Sequence, residues 1–134
     1  MTHQYYLSLC EQLAAIAQQN GNSPVGCVIV INGEIVAEGI ESATSDQNIT
    51  HHAEMNALQA AREQLGKDLS QATLYSTHEP CVMCAYSIRY HGVHTVVFKN
   101  KVTQLGSYSS AFNLLTSDEV PDSWPAKPAV IHIP

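Results

Sequence analysis

Residues 72–84 read ATLYSTHEPCVMC, and this stretch predicts a short strand over 72–77 that leads directly into a helix. Pro80 stands where the helix opens, because proline is tolerated in a first helical turn. Cys81 and Cys84 are three residues apart, so they share one helix face and both thiolates can reach one metal ion. The positive end of the helix also favours thiolate over thiol. The stretch therefore predicts half of a metal site beside a strand end.

A second short string supplies a further ligand and a carboxylate. His52 and Glu54 fall near the start of a predicted helix over 51–65, for which Thr50 is a plausible N-cap. One imidazole and two thiolates are three good zinc ligands, and a zinc site with an open fourth position activates water, whereas closed sites are structural. Glu54 is expected to reach that water and to carry its proton to the leaving amine. Together the two strings predict a hydrolytic zinc enzyme.

The bulk properties describe one folded domain. The chain has 134 residues, of which 45% are hydrophobic, and this length predicts a single domain, residues 1–134, that folds without disulfides. No apolar run approaches a membrane span, and the N-terminus lacks the pattern of a signal peptide, so we expect a cytoplasmic protein without membrane partners. Four cysteines in a reducing compartment do not predict a disulfide framework. Cys10 and Cys27 lie in apolar patterns and are expected to be buried.

The charge balance bears on the kind of partner. The net charge is −6 and the chain holds only six Lys and Arg residues. Phosphate backbones are bound mainly through such cations, and here they are scattered, with a local concentration only at 99–101. We therefore expect a small-molecule substrate, and a nucleic-acid partner is not supported.

Hydrophobic periodicity and turn signals predict alternating helices and strands. Asn32-Gly33 is a strong signal for a two-residue hairpin. An α/β layered domain follows, with a mixed sheet and helices on both faces. The predicted helices cover 2–20, 51–65, 79–91 and 109–115, and the predicted strands cover 25–31, 34–40, 72–77, 93–98 and 129–133.

The order His-x-Glu and then Pro-Cys-x-x-Cys is typical of zinc deaminases. A Cys-x-x-Cys pair alone would suggest structural zinc or a redox pair. The chain resembles the cytidine deaminase-like superfamily, in particular the branch of tRNA adenosine deaminases, guanine deaminases and fungal-type cytosine deaminases. The resemblance spans 6–110 and rests on 24–30, 52–58 and 73–84. It implies a three-layer α/β/α fold with a five-stranded mixed sheet whose last two strands are parallel.

The resemblance also implies roles for individual residues. It assigns zinc to His52, Cys81 and Cys84, and the proton shuttle to Glu54, in a reaction that hydrolyses an amine from a nitrogen heterocycle. Such enzymes usually dimerise, so a homodimer is expected, with helices near the site at the interface. The positions implied to contact the substrate are Val25, Gly26, Glu41, Ala53 and His78.

Glu41 departs from the pattern of the branch. An asparagine commonly stands there, eleven residues before the zinc histidine, and hydrogen-bonds the substrate ring. A carboxylate only accepts hydrogen bonds, whereas an amide also donates them. Within the pocket, Glu41 would therefore select a ring edge with N–H or NH2 donors, or a cationic ring. Alternatively, the loop shifts by one residue and Glu41 faces solvent.

Other positions near the strings remain open between a pocket role and a structural one. His51 is a supporting or substrate-binding group, or a solvent-facing residue at a helix start. His78 lines the cavity or packs at a strand end, and Glu79 is expected to cap the helix. Tyr108 or Trp124 closes over the substrate, or Trp124 is a hydrophobic plug.

Three functions are compatible with these residues. The leading hypothesis is a zinc-dependent hydrolytic deaminase of a free nucleobase or related amino-heterocycle, with a guanine-like purine, an aminopterin or an aminotriazine favoured. The second is a tRNA adenosine deaminase, against which we count the acidity, the absence of a basic stripe and the lack of a basic helix after the last strand. The third is a non-catalytic zinc-stabilised binding domain, in which Glu54 would have no purpose.

Overall fold

The structure is a computed structural model that describes residues 1–134. It contains three helices and five strands. The helices are α1 (His3–Gln19), α2 (Ala53–Leu65) and α3 (Val82–Tyr90), and the strands are β1 (Gly26–Ile31), β2 (Glu34–Ile40), β3 (Thr73–His78), β4 (Thr95–Asn100) and β5 (Ala129–His132). No helix combines the length and the apolar character that crossing a membrane requires.

The strands form one sheet in the order β2-β1-β3-β4-β5. β1 pairs antiparallel with both β2 and β3, whereas β3, β4 and β5 run parallel. The parallel connection from β3 to β4 passes through α3, as a crossover requires. The expected five-stranded mixed sheet with its last two strands parallel is confirmed.

Alternate residues of the strands face two separate apolar clusters, one on each side of the sheet. Val28 and Val30 of β1 join Tyr6 and Cys10 of α1 on one side. The intervening residues of β1 face α2 and α3 on the other side. That second cluster includes Cys27, Ile29, Ala53, Ala57, Leu58, Ala61, Ala85 and Ile88. Because side chains alternate across a strand, this burial pattern gives the α/β/α layers, and it buries Cys10 and Cys27 as expected.

The turn between β1 and β2 has the predicted chemistry. Asn32 and Gly33 have φ values of 51° and 78°, in the left-handed region that glycine and asparagine tolerate. Positive φ at both central residues defines the type I′ hairpin, whose twist matches that of the strands.

Both helices that carry ligands begin later than predicted. Thr50 does not cap α2, because its hydroxyl donates to Asn48 Oδ1 at 2.6 Å, and His52 is the N-cap residue. Cys81 is the N-cap residue of α3. Glu79 instead continues the pairing of β3 with β4, because its backbone N–H donates to Asn100 O of β4 at 2.8 Å.

The predicted helix over 109–115 is wrong, since this segment forms turns. Its serine hydroxyls form hydrogen bonds with nearby backbone and side-chain groups. Ser109 Oγ donates to Glu79 Oε1, and Ser110 Oγ donates to Gly106 O and accepts from the backbone of Phe112. Such local bonds compete with helical ones.

Candidate active site

The two sequence strings meet where α2 and α3 begin. His52 Nδ1 lies 3.5 Å from Cys81 Sγ and 3.5 Å from Cys84 Sγ, and the two sulfurs are 3.7 Å apart. His52 and Cys81 are the N-cap residues of their helices, and Cys84 lies in the first turn of α3. The starts of the two helices thus bring the side chains of His52, Cys81 and Cys84 together around one point.

These three side chains fit a tetrahedral zinc ion. Zinc bonds of about 2.3 Å to sulfur and about 2.0 Å to nitrogen in a tetrahedron put such ligand atoms about 3.5 to 3.8 Å apart, which agrees with the distances observed. His52, Cys81 and Cys84 are also a group whose ligand atoms all lie within 4.8 Å of one another. A donor set of one imidazole and two thiols leaves a fourth position for water or substrate.

The ligand side chains interact strongly before any metal binds. Hydrogen bonding from Cys84 and then from His52 lowers the pKa of Cys81 to about 4. Hydrogen bonding to Cys81 raises the pKa of His52 to about 8. At neutral pH the metal-free site therefore holds a Cys81 thiolate paired with a His52 imidazolium, and metal binding must release protons.

Glu54 lies in the first turn of α2 beside this cluster. Its side chain is only 4% exposed, and burial, together with the nearby charge of Cys81, raises its pKa to about 7. A carboxyl group with a pKa near the working pH can both accept and return a proton. Glu54 is thus suited to acid–base chemistry next to the metal ligands.

A cavity of about 210 Å³ opens over these groups. It is smaller than the pockets of about 300 to 1,000 Å³ that hold drug-sized ligands, so it suits a single heterocycle. Its lining residues are Ser23, Val25, Glu41, His52, Glu54, His78, Glu79, Cys81 and Val102.

Three of the five expected substrate contacts line this cavity: Val25, Glu41 and His78. Gly26 and Ala53 are not among the lining residues. Gly26 packs on α1, where an added Cβ would lie 2.2 Å from Cys10 O, and Ala53 is fully buried. Their side-chain positions therefore serve the packing of helices onto the sheet.

Glu41 faces the cavity, so the expected alternative of a solvent-facing residue is wrong. It is 8% exposed, and its backbone N–H donates to Val25 O at 3.1 Å. That bond extends the pairing of β1 and β2 by one residue and fixes Glu41 at the cavity wall.

The histidines on either side of the cluster have different surroundings. His78 lines the cavity, and burial lowers its pKa, so its ring is neutral at pH 7. His51 does not line the cavity, because its Nδ1 pairs with Asp46 Oδ2 at 2.8 Å on the surface.

Glu79 does not cap α3, contrary to expectation. Its carboxylate, 2% exposed, accepts hydrogen bonds from the backbone N–H groups of Val102, Tyr108 and Ser109. It thereby holds the loop 101–109 against the site. Val102 and Ser23, which complete the cavity, were missed because nothing in their local sequence marks them and only this tertiary arrangement brings them in.

Neither aromatic residue of the C-terminal segment closes over the site. The Tyr108 ring packs edge-on against Phe98 at a centroid distance of 5.8 Å. Trp124 packs against Tyr86 at 5.5 Å, with the Arg89 guanidinium over its ring, which agrees with a hydrophobic plug.

A larger cavity, of about 410 Å³, lies on the outer surface of α2 and α3. Met55, Met83, Tyr86, Ser87 and Tyr90 line it. It contains no carboxylate, imidazole or thiol, so hydrolytic chemistry belongs to the smaller cavity.

The chain is similar to known proteins over most of its length. Residues 1–100 match the family described as the cytidine and deoxycytidylate deaminase zinc-binding region. The chain is 35% identical over 125 residues to "tRNA-specific adenosine deaminase 2" of Danio rerio, covering 88% of this chain and 58% of that protein. It is 35% identical over 116 residues to "tRNA-specific adenosine deaminase" of Aquifex aeolicus, covering 86% and 77%.

A solved structure shares the whole fold. It comes from a study of A-to-I editing by tRNA:A34 deaminases, with a TM-score of 0.88, 26% identity, and coverage of 97% of this chain and 98% of that one. This chain spans 58% of the length of the Danio rerio relative.

These similarities correct the expected substrate class. The prediction of a free nucleobase such as a guanine-like purine is wrong, because the relatives are named as tRNA-specific adenosine deaminases, and the argument from acidity against nucleic acid does not hold. Net charge bears on non-specific attraction to nucleic acid, whereas the choice of the reacting base is made within the cavity. The predictions of zinc, of the deaminase class and of the fold are confirmed, and the match over residues 1–100 shows that the chain belongs to the cytidine and deoxycytidylate deaminase zinc-binding family.

Proposed function

We propose that this chain is a zinc-dependent hydrolytic deaminase that converts adenosine to inosine in tRNA. The observation that carries the proposal is its 35% identity to relatives named as tRNA-specific adenosine deaminases. The cavity beside Glu54, with room for one heterocycle, supports it. In the net reaction water replaces the amino group at C6 of the purine, so a C–O bond forms, a C–N bond breaks and ammonia leaves.

The residues of the proposed site divide into metal ligands and a proton carrier. His52, Cys81 and Cys84 would hold the zinc, which when bound lowers the pKa of water and supplies the nucleophile. Glu54 takes the proton of the attacking water on a carboxylate oxygen, passes it to a ring nitrogen and then serves the leaving amine. Two thiolates would balance the charge of a divalent zinc ion, so they would limit how far the ion lowers the pKa of water. Removal of the water proton therefore needs Glu54 as a base.

The proposed substrate contacts are the cavity residues Val25, Glu41 and His78, together with the backbone at Gly26 and Ala53. The ring of His78 is neutral at pH 7, since burial lowers its pKa. It can therefore accept or donate one hydrogen bond to the target nucleotide.

Few basic side chains of the chain are free to bind phosphate. Lys99 pairs with Glu11 at 2.9 Å and Lys127 with Asp118 at 2.8 Å. Arg89 is buried and donates to Leu114 O and Ser117 O. We therefore propose that this chain makes few phosphate contacts of its own, and that its affinity for RNA falls only shallowly with salt.

The proposal is tested on tRNA transcripts. The zinc-loaded protein is incubated with a transcript that has adenosine at position 34 and with a matched transcript that has uridine there, and inosine is read as guanosine after reverse transcription. Inosine is expected only at adenosine 34, and the Glu54→Gln variant is expected to form it about 10²- to 10⁴-fold more slowly. Absence of inosine from every transcript, together with ammonia release from free nucleobases, would refute the proposal.

We also propose that the protein forms a homodimer through the outer surface of α2 and α3. That surface carries Met55, Met83, Tyr86 and Tyr90 around the 410 Å³ cavity, and Tyr86 and Tyr90 are about half exposed. Apolar surface of this kind marks interaction sites. Sedimentation should show a dimer that Tyr86→Glu weakens and that Ile49→Glu, a change at an exposed residue outside the cavity, does not.

Residues 1–134 are proposed to form one domain, because both apolar clusters share a single sheet. A single cooperative unfolding transition would agree with this. We further propose a cytoplasmic location, where the four free cysteines stay reduced.

A further inference from the structure

Glu41 is a largely buried residue whose carboxylate reaches the cavity and receives no hydrogen bond from the protein. It is 8% exposed and lines the cavity. Only its backbone takes part in a hydrogen bond, to Val25 O. Two other buried carboxylates line the cavity: that of Glu79 accepts from four donors, and that of Glu54 already has the proposed role of proton carrier. This contrast singles out Glu41, because buried carboxylates are normally paired or hydrogen-bonded.

No lysine or arginine shares the cavity with Glu41. The titratable groups that share the cavity with it are His52, Glu54, His78, Glu79 and Cys81. None is a lysine or an arginine, and His52 is committed to Cys81 and Cys84. The carboxylate is therefore left to interact with whatever occupies the cavity.

The chemistry of that interaction has a fixed direction. A carboxylate accepts hydrogen bonds and cannot donate them, and bonds to a charged group are the stronger ones. A site that holds an unpaired polar group discriminates strongly, because the wrong ligand leaves that group buried without a partner.

We propose that Glu41 is a specificity-determining residue whose carboxylate accepts a hydrogen bond from an N–H or O–H of the target nucleotide. The inference rests on the proposed function and deepens it, since it states what the target must present. Beyond its amino group, the adenine ring offers acceptors at N1, N3 and N7. The donor therefore comes from the ribose 2′-hydroxyl or from a further amino group on the purine.

The experiment varies the donor and the carboxylate together. Three tRNAs are prepared that differ only in the target nucleotide: adenosine, 2′-deoxyadenosine and 2,6-diaminopurine riboside. Each is given to the wild type, to Glu41→Gln, to Glu41→Asn and to Glu38→Gln. Glu38 is an exposed residue of β2, so its variant controls for the loss of a charge on that strand.

One of two donor preferences is expected in the wild type. If the ribose supplies the donor, kcat/KM is about 10- to 100-fold higher for adenosine than for 2′-deoxyadenosine, the range of a hydrogen bond to a charged group. If an amino group supplies it, the diaminopurine target is preferred by a similar factor. Glu41→Gln and Glu41→Asn reduce whichever ratio is found by about tenfold or more, and Glu38→Gln leaves it unchanged.

Binding provides a second readout that does not depend on turnover. In the Glu54→Gln background, the affinities for the three tRNAs should rank in the same order as the kcat/KM values. Adding Glu41→Gln should make the three Kd values nearly equal. Glu41→Asn is included so that the ratios are measured on a folded protein even if Glu41→Gln does not fold.

Two negative results are distinguishable. If the wild type deaminates no tRNA at all, the proposed function fails and the inference falls with it. If the wild type deaminates tRNA but shows no preference among the three targets, or if folded, zinc-containing Glu41 variants keep ratios within threefold of the wild-type ratios, the proposed function stands and the role of Glu41 is refuted.

Discussion

The Ser109 backbone N–H donates a 2.7 Å hydrogen bond to Glu79 Oε2, across 30 residues of chain. The Ser109 hydroxyl also donates to Glu79 Oε1, at 2.5 Å. Gly106 packs so closely that an added Cβ would lie 2.1 Å from Glu79 Oε2. Glu79 stands two residues before the ligand Cys81, so this carboxylate fastens the loop 101–109 to the end of β3 that leads into the metal site.

Replacing Glu79 with glutamine should release this loop. The amide offers one oxygen where the carboxylate offers two, so one or more backbone N–H groups lose their acceptor. We expect Glu79→Gln to destabilise the protein by about 1 to 3 kcal/mol, measured by urea denaturation, and to accelerate hydrogen exchange at Val102 and Tyr108. Glu63→Gln, on the exposed surface of α2, should leave the stability and the hydrogen exchange unchanged. Equal exchange rates in the two variants would show that Glu79 does not hold the loop 101–109 in place.

Loss of one sulfur ligand should remove the metal. Cys84 is fully buried and lies 3.5 Å from His52 Nδ1. Loss of a residue that only supports a metal ligand lowers metal affinity by up to about 100-fold. Loss of a ligand itself should cost more, so Cys84→Ser is expected to lower zinc affinity by more than about 100-fold. Competition with a chelating dye measures this.

Cys10→Ser provides the matched control for that loss. Cys10 is also fully buried, and its Sγ donates to Tyr75 O at 3.3 Å, a bond that a hydroxyl can replace. This variant should bind one zinc ion per chain. If both variants kept zinc, the assignment of Cys84 as a ligand would be wrong.

The Glu54→Gln variant should separate chemistry from metal binding. The amide cannot accept the proton that the reaction moves, so deamination should fall by about 10²- to 10⁴-fold, the usual contribution of such a group. Zinc content, measured by elemental analysis, should stay the same. Activity near that of the wild type would exclude Glu54 as the base.

The pH dependence of stability should reveal the burial of Glu54 in the metal-free protein. Its pKa rises from 4.5 to about 7 on folding, so the folded state favours the protonated form. The contribution to stability is present below pH 4.5 and is lost as pH rises to about 7. The loss amounts to about 3 kcal/mol, since each pKa unit is worth about 1.4 kcal/mol.

Glutamine at this position has no proton to lose. The free energy of unfolding of metal-free Glu54→Gln, measured in urea, should therefore increase relative to that of the metal-free wild type between pH 5 and pH 8. A constant difference across this range would mean that Glu54 titrates normally.

A single methyl group at Gly39 should displace the start of α2. An added Cβ would lie 1.9 Å from Ala53 O and 2.7 Å from Ala57 N, so the helix that carries His52 and Glu54 must move. We expect Gly39→Ala to cost about 1 to 3 kcal/mol or more and to weaken zinc binding in the same titration.

A second glycine controls for the backbone effect. Gly21 has a φ of +85° and no atom within 4 Å of an added Cβ. Gly21→Ala should cost about 1 to 2 kcal/mol through its left-handed conformation and leave zinc affinity unchanged. Normal zinc binding by Gly39→Ala would show that α2 can be displaced without disturbing the ligands.

Local patterns were sufficient for the sheet and for the metal ligands. The Asn32-Gly33 turn sets β1 and β2 side by side, and alternating apolar residues define the two faces of each strand. Helix starts were less predictable, because the backbone of Glu79 is engaged by Asn100, a residue distant in the chain. The helix predicted over 109–115 was wrong for a similar reason, because the hydroxyls of Ser109 and Ser110 donate to Glu79 and to a loop carbonyl.

The residue pattern predicted the fold class and the metal ligands, because Cys81 and Cys84 lie within one helical turn and His52 is a further zinc ligand near a helix start. The surroundings of that metal site depend on the assembled fold. It placed Glu41 in the cavity, turned Glu79 toward the loop, and brought in Ser23 and Val102. The spacing of Cys81 and Cys84 is set within one helical turn, whereas His52 and the cavity wall reach them only when segments distant in the chain meet on the formed sheet.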